Sequence, residues 1–255
     1  MACILAIANQ KGGVGKTTTA VNLAASLGAA ERRTLLVDLD PQANATSGVG
    51  LPRPPAGPTV YEALLGEVSL EPVVRPTESP NLDIAPASIE LIGAEVELAE
   101  LPDRHARLAA ALRPVASRYA YVLIDCPPSL GHLTVNALSA AHGVVVPLQC
   151  EYYAMEGLSA ILSTVDRVRA AYNPDLRIAG ILLTMFDPRN RLSLQVAEEV
   201  RAHFPGRVFR TVIPRNVRLA ESPSYGKPVL LYDIESKGAA SYLELAREIL
   251  DNGHA

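Results

Sequence analysis

The 255-residue sequence contains no tryptophan, three phenylalanines, nine tyrosines and three cysteines. So few aromatic side chains disfavour a protein that binds single-stranded nucleic acid by stacking on its bases. The cysteines at positions 3, 126 and 150 form no CxxC pair, and the five histidines lack the spacing of metal ligands. Neither a disulfide framework nor a zinc site is therefore predicted, and this cysteine usage favours a reducing cytoplasm.

Long hydrophobic runs are also absent. No apolar run approaches the roughly 18 residues of a membrane-spanning helix, and the first nine residues lack the basic and apolar regions of a signal peptide. Apolar residues nevertheless make up 49% of the chain and charged residues 20%, a composition too apolar for a disordered protein. The sequence predicts a soluble globular protein without a membrane anchor, folded as a single domain over residues 1–255.

Lysine is scarce, with four lysines against 19 arginines. Two of the four, Lys11 and Lys16, lie five residues apart, and the next lysine along the chain is Lys227. An ammonium group is a compact point charge, whereas a guanidinium group is a larger planar fork. Lysine at these two neighbouring positions is therefore a departure from the arginine that this sequence mostly uses elsewhere, and a compact ammonium group would suit a crowded phosphate site.

Short apolar segments alternate with helix-like segments along the whole sequence. The segments typical of buried strands are 3–8, 34–38, 82–87, 121–125, 143–148, 178–185, 208–213 and 228–232. Helices are predicted near 17–30, 89–99, 104–118, 133–141, 155–172, 192–204 and 239–251. Continuous apolar strands separated by helices predict an α/β fold, with a doubly wound, mostly parallel sheet and helices on both faces. The Pro- and Gly-rich segment 51–58 is predicted to be a surface loop.

A glycine-rich segment, residues 9–19 (NQKGGVGKTTT), follows the first predicted strand and leads into a predicted helix. Glycines allow backbone amides to approach an anion closely, and a helix N-terminus adds oriented N–H groups. In such a P-loop, Lys16 reaches the β- and γ-phosphates and the Thr17 hydroxyl binds Mg²⁺. Gln10 replaces the usual first glycine, and an extra lysine follows it. A dinucleotide site is disfavoured because Thr18 occupies the position of the third glycine.

Three aspartates stand at the ends of predicted strands. Asp38 and Asp40 are two residues apart, so an extended backbone points both side chains the same way, and Asp125 precedes two prolines. Ligands bind outside the carboxyl ends of parallel strands, and an aspartate there beside a P-loop is expected to help bind Mg²⁺. The alternative is that these aspartates cap the turns that follow them.

Together these motifs resemble the ParA family, in particular its chromosomal Soj-type members. The resemblance is carried, in the family's order and over essentially the whole chain, by KGGVGKTTT, LLVDLDPQANAT, YVLIDCPPSL and TVIPRNVRLAESPSYGKPV. The P-loop alone marks the wider deviant Walker A superfamily, which includes MinD, the nitrogenase iron protein and the arsenical pump ATPases. The resemblance implies a P-loop ATPase that uses ATP and Mg²⁺, dimerises with ATP and binds double-stranded DNA nonspecifically. Such proteins partition chromosomes or plasmids on the nucleoid with the centromere-binding protein ParB.

The resemblance also implies roles for individual residues. Phosphates would be held by Lys16 and the loop formed by Gly12, Gly13, Val14, Gly15, Thr17 and Thr18. Thr17 would ligate Mg²⁺, with Asp125 in its outer shell and Asp38 supporting the metal region. Asp40 would orient the attacking water.

Two further regions have implied roles at the nucleotide. Lys11 would reach across to the phosphates of a partner subunit. Lys11, Lys16 and Asp40 would be the catalytic residues. A cation supplied by the partner offsets phosphate charge only when two subunits meet, which ties dimerisation to ATP. Pro214 and Asn216 match the loop that contacts adenine. The alternative for Lys11 is a solvated surface lysine.

A basic segment, residues 187–227, holds eight basic and four acidic residues, so it carries +4 while the rest of the chain carries −8. Such a surface binds DNA phosphates without sequence preference, and more strongly when a dimer doubles it. Arg189 and Arg218 match positions that the family uses for DNA. The alternative is that these arginines pair with acidic neighbours on solvated helix faces.

Two other functions within the superfamily remain open. A MinD-like membrane-surface ATPase would use a basic amphipathic helix near the C-terminus, but residues 241–251 are net acidic. An iron–sulfur reductase component would place a cluster on cysteines such as Cys126 and Cys150, which follow predicted strands. The Cys-Gly-Gly surroundings typical of those proteins are missing, and small buried thiols are common beside apolar strands.

Overall fold

A seven-stranded sheet forms the centre of the molecule. The computed structural model describes residues 2–152 and 154–252. The strands are β1 (Cys3–Ile7), β2 (Thr34–Asp38), β3 (Arg75–Pro76), β4 (Leu82–Ala85), β5 (Tyr121–Asp125), β6 (Gly143–Gln149) and β7 (Arg177–Thr184). Their order is β3-β4-β2-β5-β1-β6-β7. The two-residue edge strand β3 runs antiparallel to β4, and the other neighbouring pairs are parallel.

Helices connect the strands and cover the sheet. They are α1 (Lys16–Ala29), α2 (Asn44–Gly48), α3 (Val60–Leu65), α4 (Leu91–Glu100), α5 (Arg107–Ala116), α6 (His132–Ala140), α7 (Ala154–Ala171), α8 (Arg191–His203), α9 (Val217–Glu221), α10 (Val229–Tyr232) and α11 (Lys237–Asp251). A 3₁₀ turn, Ser222–Tyr225, follows α9. No helix in the described ranges is both long enough and apolar enough to cross a membrane.

Two hydrophobic clusters lie on opposite faces of the sheet. Leu5 and Ile7 of β1 pack with α1 and α11, whereas Ala6, between them, belongs to the cluster that includes α3 to α8. This alternation arises because successive side chains of a strand point to opposite faces. Both faces are therefore covered, which explains the continuous apolar strands and confirms the predicted doubly wound α/β fold.

The carboxyl ends of three central strands meet at one edge of the sheet. Ile7, the last residue of β1, is in register with Asp125 of β5, and Asp125 is in register with Asp38 of β2. The glycine loop leaves β1 at this edge, and strand order reverses there, since β1 lies between β5 and β6. Parallel sheets bind ligands at such a switch point.

Two predicted strands are wrong. Residues 208–213 form one bridge, between Ile181 and Val208, and the amides of Arg210 and Thr211 donate to the Glu248 carboxylate instead of extending a ladder. Residues 228–232 contain the helical turn α10, which begins after Pro228. A short apolar run has no periodicity that separates a strand from a buried helical turn. The predicted loop at 51–58 is confirmed, because those residues lack regular structure.

Candidate nucleotide-binding site

The loop between β1 and α1 presents free backbone amides. Gly13 and Gly15 have left-handed φ angles of 74° and 87°, which side chains adopt only with strain. Gly15 is the N-cap of α1, and no side chain caps this helix. The first amides of α1 therefore have no partner within the helix, and they form a site for an anion.

Residues outside the loop hold it in shape. The Asn9 side chain accepts a hydrogen bond from the Lys11 amide (3.0 Å) and donates one to the Pro147 carbonyl (2.7 Å). The Thr184 hydroxyl donates to the Val14 carbonyl (2.9 Å). Sequence reasoning missed Asn9 and Thr184, because each acts through a contact with a residue more than one hundred positions away along the chain, which no local motif predicts.

Lys16 is enclosed by this loop. It is only 7% exposed, and its Nζ donates to the Lys11 carbonyl oxygen (3.1 Å). Burial lowers its pKa, while the charges of Asp125, Cys126 and Asp40 oppose the shift. Within the described residues no carboxylate lies within 4 Å of this ammonium group. A bound phosphate would supply the missing anion.

Asp125 is a buried carboxylate that lacks a hydrogen bond of normal geometry. It is fully buried, and neither oxygen accepts a hydrogen bond of normal geometry from the described residues. Burial and the nearby charge of Asp38 raise the pKa of Asp125 well above its usual range, and neighbouring Thr17 and Lys16 oppose the shift. A buried polar group without partners is rare in folded proteins and points to a missing ion or water.

Asp38 holds the chain that follows β2. Its oxygens accept hydrogen bonds from the Thr46 amide and hydroxyl (both 2.8 Å) and from the Asp40 amide (3.1 Å). Burial nevertheless raises the pKa of Asp38 to about 6, because it outweighs these hydrogen bonds. Asp40 is also buried, and it accepts from the Gln42 amide (2.9 Å). Both carboxylates thus cap the turn that follows β2, as the turn-capping alternative predicted. Their metal-binding and catalytic roles stay predictions.

The donor set fits magnesium. The Thr17 hydroxyl and the carboxylates of Asp38, Asp40 and Asp125 are oxygen ligands, which Mg²⁺ prefers. No group of three His, Cys, Asp or Glu side chains in the described ranges forms a complete metal site. Mg²⁺ keeps several waters and usually binds one or two protein oxygens together with substrate phosphates.

A cleft of about 320 Å³ with mainly apolar walls opens beside the loop. Gly15 and Thr18 form one side, and Pro214, Asn216 and Leu219 form another. The Asn216 Oδ1 accepts from two amides at the start of α9, so its NH₂ group remains as a donor. The structure brings the predicted adenine loop against the glycine loop, and the adenine contact itself stays a prediction.

Lys11 points to a different neighbour from Lys16. Its Nζ lies 3.2 Å from Glu151 Oε2, and both side chains are partly exposed. Such pairs contribute about 0–1 kcal/mol to stability. The ammonium group is therefore available for exchange onto another anion.

The two arginines predicted to contact DNA are paired. Arg189 forms two hydrogen bonds to Asp187, and these lower the pKa of Asp187 to about 2. Arg218 contacts Glu221 (2.8 Å) and Asp233 (3.0 Å). Both match the alternative of arginines paired with acidic neighbours, and DNA contact stays a prediction.

All three cysteines are buried and unpaired, which agrees with the interpretation of Cys126 and Cys150 as core thiols.

Comparisons with known proteins agree over nearly the whole chain. A family model for an AAA domain matches residues 2–178. The chromosome partitioning protein ParA of Myxococcus xanthus is 58% identical over 97% of this chain and 87% of its own length. The sporulation initiation inhibitor protein Soj of Bacillus subtilis is 54% identical over 99% and 100%. A solved structure described as cobyrinic acid a,c-diamide synthase from Mycobacterium smegmatis, with bound ADP and magnesium, has a TM-score of 0.88, 39% identity and coverage of 99% and 95%.

The parallel sheet, the glycine loop leading into α1 and the buried lysine define a P-loop nucleoside triphosphatase. Within that class, identities above 50% over almost full length decide the family. The chain belongs to the ParA/Soj family of chromosome partitioning ATPases, as the motifs in the sequence predict.

Proposed function

We propose that this protein is an ATP-dependent dimeric switch that binds double-stranded DNA nonspecifically and hydrolyses ATP slowly to partition chromosomes or plasmids. A ParB-type centromere-binding protein is its partner and stimulates hydrolysis, and the protein acts on the nucleoid in the cytoplasm. The observation that carries the proposal is the glycine loop, in which buried Lys16 has no anionic partner among the described residues. The names of the relatives support the partitioning role.

The proposed site divides its work between the loop and the strand ends. Lys16 and the amides at the start of α1 hold the phosphates, and the cleft at Pro214 and Asn216 holds the adenine. Mg²⁺, when bound, neutralises negative charge on the β- and γ-phosphates. Thr17 and Asp125 hold the metal region together with Asp38. Asp40 accepts a hydrogen bond from the attacking water and orients it.

Lys11 links nucleotide binding to dimerisation in this proposal. Its present partner, Glu151, is partly exposed, so the pair is screened by solvent and weak. A γ-phosphate of a second subunit offers a greater negative charge in a site from which water is excluded. Lys11 therefore leaves Glu151 when two ATP-bound subunits meet, and its charge stabilises the dimer only with ATP present.

Dimerisation would convert weak DNA contacts into stable ones. Each subunit contributes its 187–227 segment with a net charge of +4. Two linked weak sites gain affinity through their high effective concentration. Because Arg189 and Arg218 are paired with acids, we expect each to contact DNA only by exchanging a carboxylate for a phosphate.

The decisive experiment is DNA co-sedimentation at several salt concentrations with ATP, ADP or no nucleotide. We expect wild type to bind with ATP and to lose affinity steeply with salt, as counterion release requires. Lys11→Ala should lose both dimerisation and DNA binding. Lys237→Ala removes the same charge from an exposed position on α11 and should behave as wild type.

Either of two results would overturn this switch. Wild type that bound DNA equally well without nucleotide would show that ATP does not control the DNA surface. A Lys11→Ala variant that still dimerised with ATP would exclude the role of Lys11 in the partner's site.

The MinD-like alternative gains no support from α11. Its apolar side chains Tyr242, Leu245 and Ile249 are buried against the sheet and α1. A helix docked in this way cannot offer the same apolar face to a lipid surface. We therefore retain the DNA-partitioning function.

A further inference from the structure

An apolar stripe on α4 faces solvent. Ile89, just before the helix, is 57% exposed, and Ile92 and Val96 are 58% and 71% exposed. Spacings of three and four residues place these side chains along one side of the helix. The opposite side of α4 is buried in the hydrophobic core. The exposed side chains of the stripe therefore do not contribute to the core that holds this helix.

The same segment is strongly acidic. Residues 89–103 contain five acidic residues and no lysine or arginine. Within the described ranges, none of the five forms an ion pair with a basic side chain. Glu95 accepts from the first amides of α6, and Glu97 accepts from the Tyr61 hydroxyl. Glu97 is nevertheless exposed, and the other exposed acids of the segment are Glu90 and Glu100, together with Asp103 just beyond the end of α4. We call Glu90, Glu100 and Asp103, with Ile89, Ile92 and Val96, the α4 surface.

The acids of this segment form no ion pair in the described residues, although the guanidinium group of Arg104 donates to the Ala99 carbonyl (3.0 Å) in the last turn of α4. This contrasts with the other end of the sheet. The arginines at 189, 210 and 218, which follow β7, each pair with a carboxylate. The α4 surface follows β4, near the opposite edge of the sheet, and it has no such partners in the described part of the chain. A negative surface with an apolar centre therefore lies apart from the basic segment.

Hydrogen bonds fix α4 in place. The Ala87 amide donates to the Thr46 hydroxyl (3.0 Å), which in turn donates to Asp38. Glu95 binds the amide of His132 (2.6 Å) at the N-terminus of α6. The stripe thus belongs to a helix that is anchored before and along its length. A preorganised surface loses little entropy when a partner binds.

We propose that the α4 surface docks a cationic amphipathic segment of another protein. Leucine-like side chains of that segment would cover the stripe, and flanking lysines or arginines would face Glu90, Glu100 and Asp103. A second copy of the same surface would bring like charges together, and DNA or an anionic membrane would be repelled by it. This inference goes beyond the nucleotide switch, since it concerns a surface that does not include the nucleotide site.

The test uses a fluorescent synthetic peptide with leucines on one helical face and lysines on the other, and nucleotide-free full-length protein. We expect saturable binding in fluorescence anisotropy. The double variants Ile92→Ser/Val96→Ser and Glu90→Gln/Glu100→Gln should each weaken binding about tenfold, as expected for the loss of buried side chains or of complementary charge.

Matched variants elsewhere serve as controls. Ile234→Ser removes an apolar side chain that is 66% exposed, and Glu244→Gln removes an exposed acid on α11. Both should bind the peptide within twofold of wild type. Equal losses in these controls, no loss in the α4 variants, or equal binding of a glutamate-substituted peptide would each overturn the proposal. Because no nucleotide is present, such a result would leave the proposed ATPase function intact.

Discussion

At the scale of residues, the site concentrates buried charge. Asp38 and Asp125 are both fully buried and lie in register on adjacent strands. Burial raises the pKa of both carboxyl groups, and the charge of Asp38 further raises the pKa of Asp125. Buried ionisable groups with shifted pKa values destabilise a fold, and they are concentrated at sites where their charge serves a function. Lys16 opposes this accumulation of negative charge only in part.

The first prediction concerns Asp125→Asn. We expect the free energy of unfolding of the nucleotide-free protein to rise by about 1–3 kcal/mol at pH 8, because the wild-type carboxyl group must either carry a buried charge or take up a proton when the protein folds. The affinity for Mg²⁺ with ATP should fall. Urea unfolding and nucleotide titration measure the two effects, and a loss of stability in this variant would contradict the account of Asp125 as an uncompensated charge.

The pH dependence of that gain follows from the direction of the pKa shift. A carboxyl whose folded-state pKa is raised contributes stability below its unfolded pKa, and that contribution is lost as the pH rises through the folded pKa. The pKa of Asp125 is raised. The stability difference between Asp125→Asn and wild type should therefore be smaller at pH 5 than at pH 8, which urea unfolding at both values would measure.

At the scale of elements, one carboxylate from α11 organises the chain that lines the cleft. Glu248 accepts hydrogen bonds from the Arg210 and Thr211 amides (2.8 and 2.9 Å) and from the Thr211 hydroxyl (2.8 Å). Burial acts to raise its pKa, but these hydrogen bonds outweigh burial and the net pKa is lowered. Glu248 thereby positions the backbone just before Ile213 and Pro214 of the cleft.

The second prediction is that Glu248→Gln destabilises the fold by about 2 kcal/mol, since charge-assisted hydrogen bonds to the partly buried amides of Arg210 and Thr211 are lost. Glu244→Gln, on the exposed side of the same helix, should change stability little. Nucleotide affinity should fall only in Glu248→Gln. Equal stability of the two variants in urea unfolding would show that Glu248 does not hold this segment.

The stabilising effect of Glu248 should disappear in acid. Its folded-state pKa is lowered, so its contribution is present above the unfolded pKa and is lost as the pH falls through the folded pKa. The stability difference between wild type and Glu248→Gln should therefore shrink below about pH 4.5, near the ordinary pKa of glutamate.

The elements also show where sequence patterns are informative. The long helices α1, α7 and α11 and the apolar strands were predictable, because periodicity and strand–helix alternation are local properties. The segments at 208–213 and 228–232 were not, because contacts made by Glu248 and Asn22 decide their backbone geometry. Asn22 lies in α1, about two hundred positions before its partner, the Val229 amide. No local pattern carries that information.

At the scale of the whole molecule, charge is unevenly distributed. The 187–227 segment is net positive, whereas residues 89–103 contain five acidic residues and no lysine or arginine. The two regions follow strands at opposite ends of the sheet order. Lys11 and Glu151 form a further ion pair beside the glycine loop. In the proposed switch, this pair opposes dimerisation because it must break before Lys11 reaches a second subunit.

The third prediction is that Glu151→Gln strengthens ATP-dependent dimerisation by up to about fivefold, the range expected when a partly exposed ion pair no longer competes. Glu156→Gln, which removes an exposed acid from α7, should leave dimerisation unchanged. Analytical ultracentrifugation with a non-hydrolysable ATP analogue measures both. Weaker dimerisation of Glu151→Gln would instead place Glu151 in contact with the second subunit.

The sequence by itself determined the fold class, the glycine loop with Lys16, and the aspartates at the strand ends. These features depend on spacing along the chain, and backbone geometry converts such spacing directly into structure. Only the tertiary structure decided which polar groups are satisfied. It showed that Asp125 accepts no hydrogen bond of normal geometry from the described residues, that Asn9 and Thr184 hold the loop, and that Arg189 and Arg218 are paired. Those outcomes depend on distances between residues far apart in sequence, which packing alone sets.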